Sequence, residues 1–193
     1  MMKKIVFLPV LGTAALALAA CNETPSGTQT AAATSDAAAT PITAEEITAA
    51  QQAWGEGIVK IGKVSAEGGD VRAAAINHIN RFYAYEDDKD VLFKPTLAAQ
   101  DQFRGTFDEA LSYFIGTEGT EDGGFAVRPW TKVRWENEGT ITDADSAMAM
   151  GNYYFTDTDG NDTKVEYTFG YVRNDAGEVV IDLHHSSVPF SAD

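Results

Sequence analysis

The sequence predicts an α+β domain, a curled antiparallel sheet with helices packed on its concave face and a pocket at the open end of the cone. Two observations carry this. Helical periodicities crowd the stretch before Gly116, and after it come strand-like runs parted by turn signals. Helices first and strands afterwards is α+β grammar rather than alternating α/β. The later strands, parted by short turn signals, further suggest a meander.

The helices have start signals. Thr43 with Glu46 three residues on reads as a capping box, each side chain serving a backbone amide that the helix leaves free, before a helix from Ala44 to about Val64. Asp70 caps a second helix through Val71, Ala75, Ile79 and Phe82. Val91-Leu92-Phe93-Lys94-Pro95-Thr96 reads as a short strand stopped by its proline. A third helix is expected over Asp101–Ile115, with Phe103, Phe107, Leu111 and Phe114 at helical spacing. Glu118 to Gly124 is an acidic, glycine-rich loop. Strands follow near Phe125–Glu136, Ala147–Thr156, Thr163–Arg173 and Glu178–Val188, separated by turns at Asp157–Asp162 and Asn174–Gly177.

Ahead of this domain, residues 1–20 read as an export signal: Lys3 and Lys4, an apolar run to Leu18, then small residues before Cys21. The run is short for a membrane span and contains Pro9 and Gly12. Leu18-Ala19-Ala20-Cys21 resembles a bacterial lipobox, so the expectation is a lipid anchor at Cys21, a flexible Ala/Thr/Ser tether over 21–42, and one domain over 43–193 in the cell envelope, facing the periplasm. Cys21 is the one cysteine in the chain, which excludes an intrachain disulfide.

The last strand ends in His184-His185-Ser186-Ser187. Successive side chains of a strand point to opposite faces. Val179, Ile181, Leu183, His185 and Ser187 share one face; Val180, Asp182, His184 and Ser186 share the other. The odd face turns from apolar to polar, as a strand does when it leaves a core and lines a pocket. Either His–Ser pair could supply a proton acceptor and a hydroxyl, and a strand end meeting water would show the same pattern.

Other chemistry is excluded. The net charge of −15 argues against nucleic acid or anionic lipid as partners, since both demand basic patches. Asp157-Thr-Asp-Gly-Asn-Asp has the wrong spacing for an EF-hand and fits a hairpin turn. No phosphate-cradling or dinucleotide glycine motif occurs. Adjacent histidines on a strand point apart, which disfavours a shared metal. His78 reads as a surface or helix-packing residue.

Leu92-Phe93-Lys94-Pro95-Thr96, Ser112-Tyr113-Phe114, Gly123-Gly124-Phe125-Ala126, Pro129-Trp130, Gly151-Asn152-Tyr153-Tyr154-Phe155 and His184-His185-Ser186-Ser187, in this order, resemble the iota-class carbonic anhydrases. The resemblance implies a SnoaL-like cone fold, related to nuclear transport factor 2, and reversible hydration of carbon dioxide to bicarbonate. It implies that no metal is needed, with zinc or manganese as the alternatives, and a homodimer. It also implies site hydroxyls at Thr96, Tyr113 and a serine of the last strand. Odd-face alternation favours Ser187, with His185 as proton acceptor or shuttle, and keeps His184 and Ser186 as the second pair. Two rivals share the fold: a non-catalytic binding or oligomerisation module, and a ketosteroid-isomerase-like enzyme, which needs a deep acidic base.

Overall fold

The computed structural model describes residues 40–192 apart from Asp88. The expected export signal, Cys21 and nearly all of the tether lie outside the described residues. Ile42, the last residue of the expected tether, is buried in the core.

Among the described residues, three α-helices precede the meander. α1 (Ala44–Ala66) starts with the expected Thr43–Glu46 capping box, and α2 (Val71–Phe82) is capped by the Asp70 carboxylate. α3 spans only Phe107–Ile115. Its N-terminus is a second capping box, Thr106 with Glu109, so Asp101–Gly105 is loop and Phe103 is exposed. Amphipathic spacing continued past the true start, while the cap chemistry marked it.

Five strands form one sheet in the order β1-β5-β4-β3-β2. β2 (Lys132–Thr142), β3 (Ser146–Thr156), β4 (Asp162–Arg173) and β5 (Val179–Ser187) are the antiparallel meander, and the short β1 (Leu92–Lys94) adds a parallel edge beside β5. The first meander strand begins at Lys132 rather than Phe125. Residues 125–126 instead pair back onto α3, with Phe125 N–H donating to Tyr113 O and Ala126 N–H to Phe114 O. The Asp157 turn is a hairpin: its carboxylate accepts from the Asp159 and Asn161 amides, and Gly160 has φ +86°.

The helices cover the inner face of the sheet. Trp54, wholly buried on α1, meets Trp135, Tyr153, Phe155, Phe169 and His184 of the sheet edge-on. Aromatic residues bury large areas and favour such T-shaped contacts. Gly62 lets α1 approach closely, because a Cβ there would sit 2.3 Å from the Arg128 carbonyl oxygen. His78 is buried among Trp54, Phe82 and Phe114 as a packing residue. Burial lowers its pKa to about 3, keeping it neutral.

A bulge between β4 and β5 decides what faces the interior. Tyr171 pairs with Ile181 and the adjacent Gly170 with Leu183, leaving Asp182 as the extra residue. One extra residue reverses the side-chain alternation beyond it. Ile181 points inward before the bulge, and after it His184 and Ser186 do. They fall in register with the inward Phe169 and Tyr167 of β4.

Candidate functional site

A cavity of about 80 Å³ lies between the sheet and α3, lined by Thr96, Tyr113, Phe125, Trp130, Tyr153, Phe155, His184 and Ser186, with Arg128 among its other residues. Its walls are mainly aromatic and aliphatic, and the polar side chains are chiefly hydroxyls, with the His184 imidazole and the Arg128 guanidinium beside them. The volume suits a molecule of a few heavy atoms, since a water occupies about 30 Å³ in the liquid.

Each polar group is set by local structure. Pro95 ends β1 and turns the chain so that Thr96 faces β5, where its Oγ1 donates to Ser186 Oγ at 2.9 Å. Tyr113 sits on the buried face of α3. Burial pushes its pKa up to about 12, against the Leu97 backbone amide and Arg128, which lower it, so the hydroxyl keeps its proton. Tyr153 is raised further by burial, with the Ser186 hydroxyl beside it acting in opposition. His184 lies between Phe93, stacked on it at 4.5 Å, and Phe169, tilted against it at 4.1 Å. Burial, and then the neighbouring His185, hold it well below the ordinary histidine value. The inner site is therefore a set of neutral donors and acceptors in a mainly apolar pocket, with the Arg128 cation also in its lining.

The structure brings together Thr96, Tyr113, His184 and Ser186, and separates His185 and Ser187 from them. The expectation of a concave odd face is corrected by the Asp182 bulge. His185 is exposed on the outer face, and Ser187 there donates to Glu166 at 3.2 Å. Among the described residues, no three His, Cys, Asp or Glu side chains gather as a metal site.

Sequence reasoning also missed the support beneath Thr96. The acidic loop clamps the segment that follows it: Glu121 accepts from the amides of Ala99, Gln100 and Asp101. Asp122, buried, takes Arg104 Nη2 and Ser112 Oγ, both at 2.6 Å. Arg104 in turn donates to the Asp101 and Phe103 carbonyls. Gly124 (φ +73°) closes this loop against Ile115, where a Cβ would stand 2.8 Å from the backbone. Nothing in the order of these residues signals the clamp, because its parts meet only on folding.

Fold and pocket are those of a small-molecule enzyme with a hydroxyl-lined site in an α+β cone. Residues 45–188 match the metal-independent carbonic anhydrase family. A protein of Nostoc sp. (strain PCC 7120) named metal-independent carbonic anhydrase is 40% identical over 154 residues, 77% of this chain and 75% of that protein. The crystal structure of a cyanobacterial iota-carbonic anhydrase complexed with bicarbonate superposes with a TM-score of 0.75 at 38% identity, covering 78% of this chain and 94% of that one. A calmodulin-dependent kinase II association domain from Xanthomonas campestris, 20% identical with a TM-score of 0.53 over 78% of this chain and 91% of its own, shares the fold. The chain belongs to the metal-independent carbonic anhydrase family, and it is a carbonic anhydrase.

Proposed function

We propose that the cavity bounded by Thr96, Tyr113 and Ser186 is where this chain converts carbon dioxide and water to bicarbonate and a proton. The observation that carries the assignment is the Thr96–Ser186 hydrogen bond inside a mainly apolar pocket. That bond uses one of the two hydroxyl protons, and the pair keeps lone pairs that can accept from and orient a water. Tyr113 adds a hydroxyl donor. As the water oxygen attacks carbon, charge grows on the carbon dioxide oxygens, and fixed donors in a water-poor site stabilise such charge strongly. One proton leaves for solvent per bicarbonate formed. Arg128 is exposed and lines the cavity, a cation that favours the anionic product in an acidic chain. Stopped-flow carbon dioxide hydration by the full chain after exhaustive chelation tests this. Activity should survive chelation and collapse in Thr96→Val; dependence on added metal would defeat the reading.

The chain pairs through the outer face of its sheet. Ile141, Met148, Gly170, Leu183 and Leu92 are in register across all five strands, and Ile141, Met148 and Leu92 are 50–67% exposed. An apolar row of this length on a soluble surface suits a partner sheet. Sedimentation should shift from dimer to monomer in Met148→Glu, with hydration retained; an unchanged sedimentation coefficient would rule this interface out.

The charged start, apolar run and Leu18-Ala19-Ala20-Cys21 support export and a lipid anchor on the periplasmic side. Cys21→Ser should move the protein from the membrane fraction to the soluble one, and an unmoved protein would refute the anchor.

A further inference from the structure

Trp54, Tyr83 and His184 form a line of polar atoms in the core behind the cavity. The Trp54 indole N–H donates to the Tyr83 hydroxyl at 3.1 Å, and that hydroxyl lies 2.8 Å from Nδ1 of His184. All three residues are buried. An indole N–H only donates, so the Tyr83 oxygen is the acceptor in the first contact. The phenol has a single proton, which is then directed at Nδ1. Were Nδ1 protonated instead, Tyr83 would accept twice and leave its own proton buried without a partner, the costly arrangement.

A doubly protonated ring is opposed by the surroundings. His184 lies between Phe93 and Phe169 and against Trp54, and burial holds it neutral. Its one proton therefore belongs on Nε2. That nitrogen is buried and has no hydrogen-bond partner among the described residues, and its ring is part of the cavity lining.

We propose that Tyr83, held by Trp54, is a positioning residue that fixes His184 in its Nε2–H tautomer, so that the ring offers a donor to an oxygen of bicarbonate in the cavity. The inference rests on the carbonic anhydrase reading and deepens it, making His184 a hydrogen-bond donor rather than a proton acceptor. It also accounts for two buried polar groups, on Trp54 and Tyr83, far from solvent and outside the pocket lining. The tautomer is chosen by what the other ring nitrogen bonds to, and here that partner is itself oriented by a third group.

The test is nitrogen-15 NMR of the full chain labelled at histidine, assigned with H78Q and H185Q variants, before and after adding bicarbonate. Wild-type His184 should show an unprotonated Nδ1 and a protonated Nε2, and bicarbonate should shift the Nε2–H resonance. Tyr83→Phe, with an unchanged circular dichroism spectrum, should mix the two tautomers, weaken the bicarbonate response and lower kcat/KM by about tenfold, the worth of one hydrogen bond. A proton on Nδ1 in the wild type overturns the proposal, and needs no substitution to be seen. So does a Tyr83→Phe variant with wild-type tautomer and wild-type activity. Wild-type protein inactive in hydration would sink the underlying reading and the donor role with it. An active protein with the wrong tautomer would sink the donor role alone.

Discussion

On the inner face of β5, His184 and Ser186 are each 3% exposed, bonded to Tyr83 and Thr96, and walled by aromatic rings. On the outer face, His185 is exposed and Ser187 bonds a surface carboxylate. The residue types are the same and the strand is the same. What differs is the medium: a hydroxyl in a dry pocket keeps its full strength toward developing charge, while one at the surface competes with water. Burial selects the inner face as the one that lines the cavity.

The largest expected effect concerns the frame that holds the inner face in place. Arg104 and Asp122 are a buried ion pair, with side chains each 3% exposed. Arg104→Met strands the Asp122 carboxylate without its counter-ion, and breaking such a pair costs about 3–5 kcal/mol. Thermal unfolding should drop by about 10 °C. A Tm within two or three degrees (~1 kcal/mol) of wild type would mean that the clamp does not depend on the pair.

Next comes the direct contest between the faces. Ser186→Ala should lower kcat/KM for hydration by about a hundredfold. Ser187→Ala should stay within about twofold, since an exposed serine–carboxylate bond contributes little. A reversed ranking would return the site to the outer face and remove the bulge argument.

A smaller effect comes from the buried histidines. Burial holds His78 near 3 and His184 well below its ordinary value. The unfolded chain protonates both below about pH 6.5, whereas the folded protein does not. Stability is thus complete above that pH and falls as the solution is acidified, by about 1.4 kcal/mol per pH unit for each histidine. Denaturant midpoints at pH 7.5 and 5.5, above the carboxylate range, should show the loss. His78→Leu should roughly halve the slope. A flat profile in the wild type would contradict the burial of both rings.

Much of the fold was legible because its signals are local. Thr43–Glu46 and Asp70 announced helices that form at those positions. The Asp157 turn announced its hairpin, and the order of helices and strands announced the α+β class. The errors were local as well. Periodicity carried α3 back to Asp101, past a capping box at Thr106–Glu109 that stood in the sequence unread. The strand before Lys132 was read from residues that hydrogen-bond to α3 instead.

The cavity lining was legible in part. Thr96 and Tyr113 were named from the family resemblance, and both line the cavity. The choice between the two His–Ser pairs turned on a single extra residue, Asp182, and alternation cannot report a bulge that exists only against a partner strand. The Arg104–Asp122 clamp, and the line from Trp54 through Tyr83 to His184, join residues 18, 29 and 101 positions apart. The sequence by itself determined the class of fold, the order of its elements and the presence of hydroxyl and imidazole groups, because caps, turns and periodicity act over a few residues. Only the tertiary structure decided which face of β5 lines the cavity and which group meets Nδ1 of His184, because register and burial come from partners that are distant along the chain.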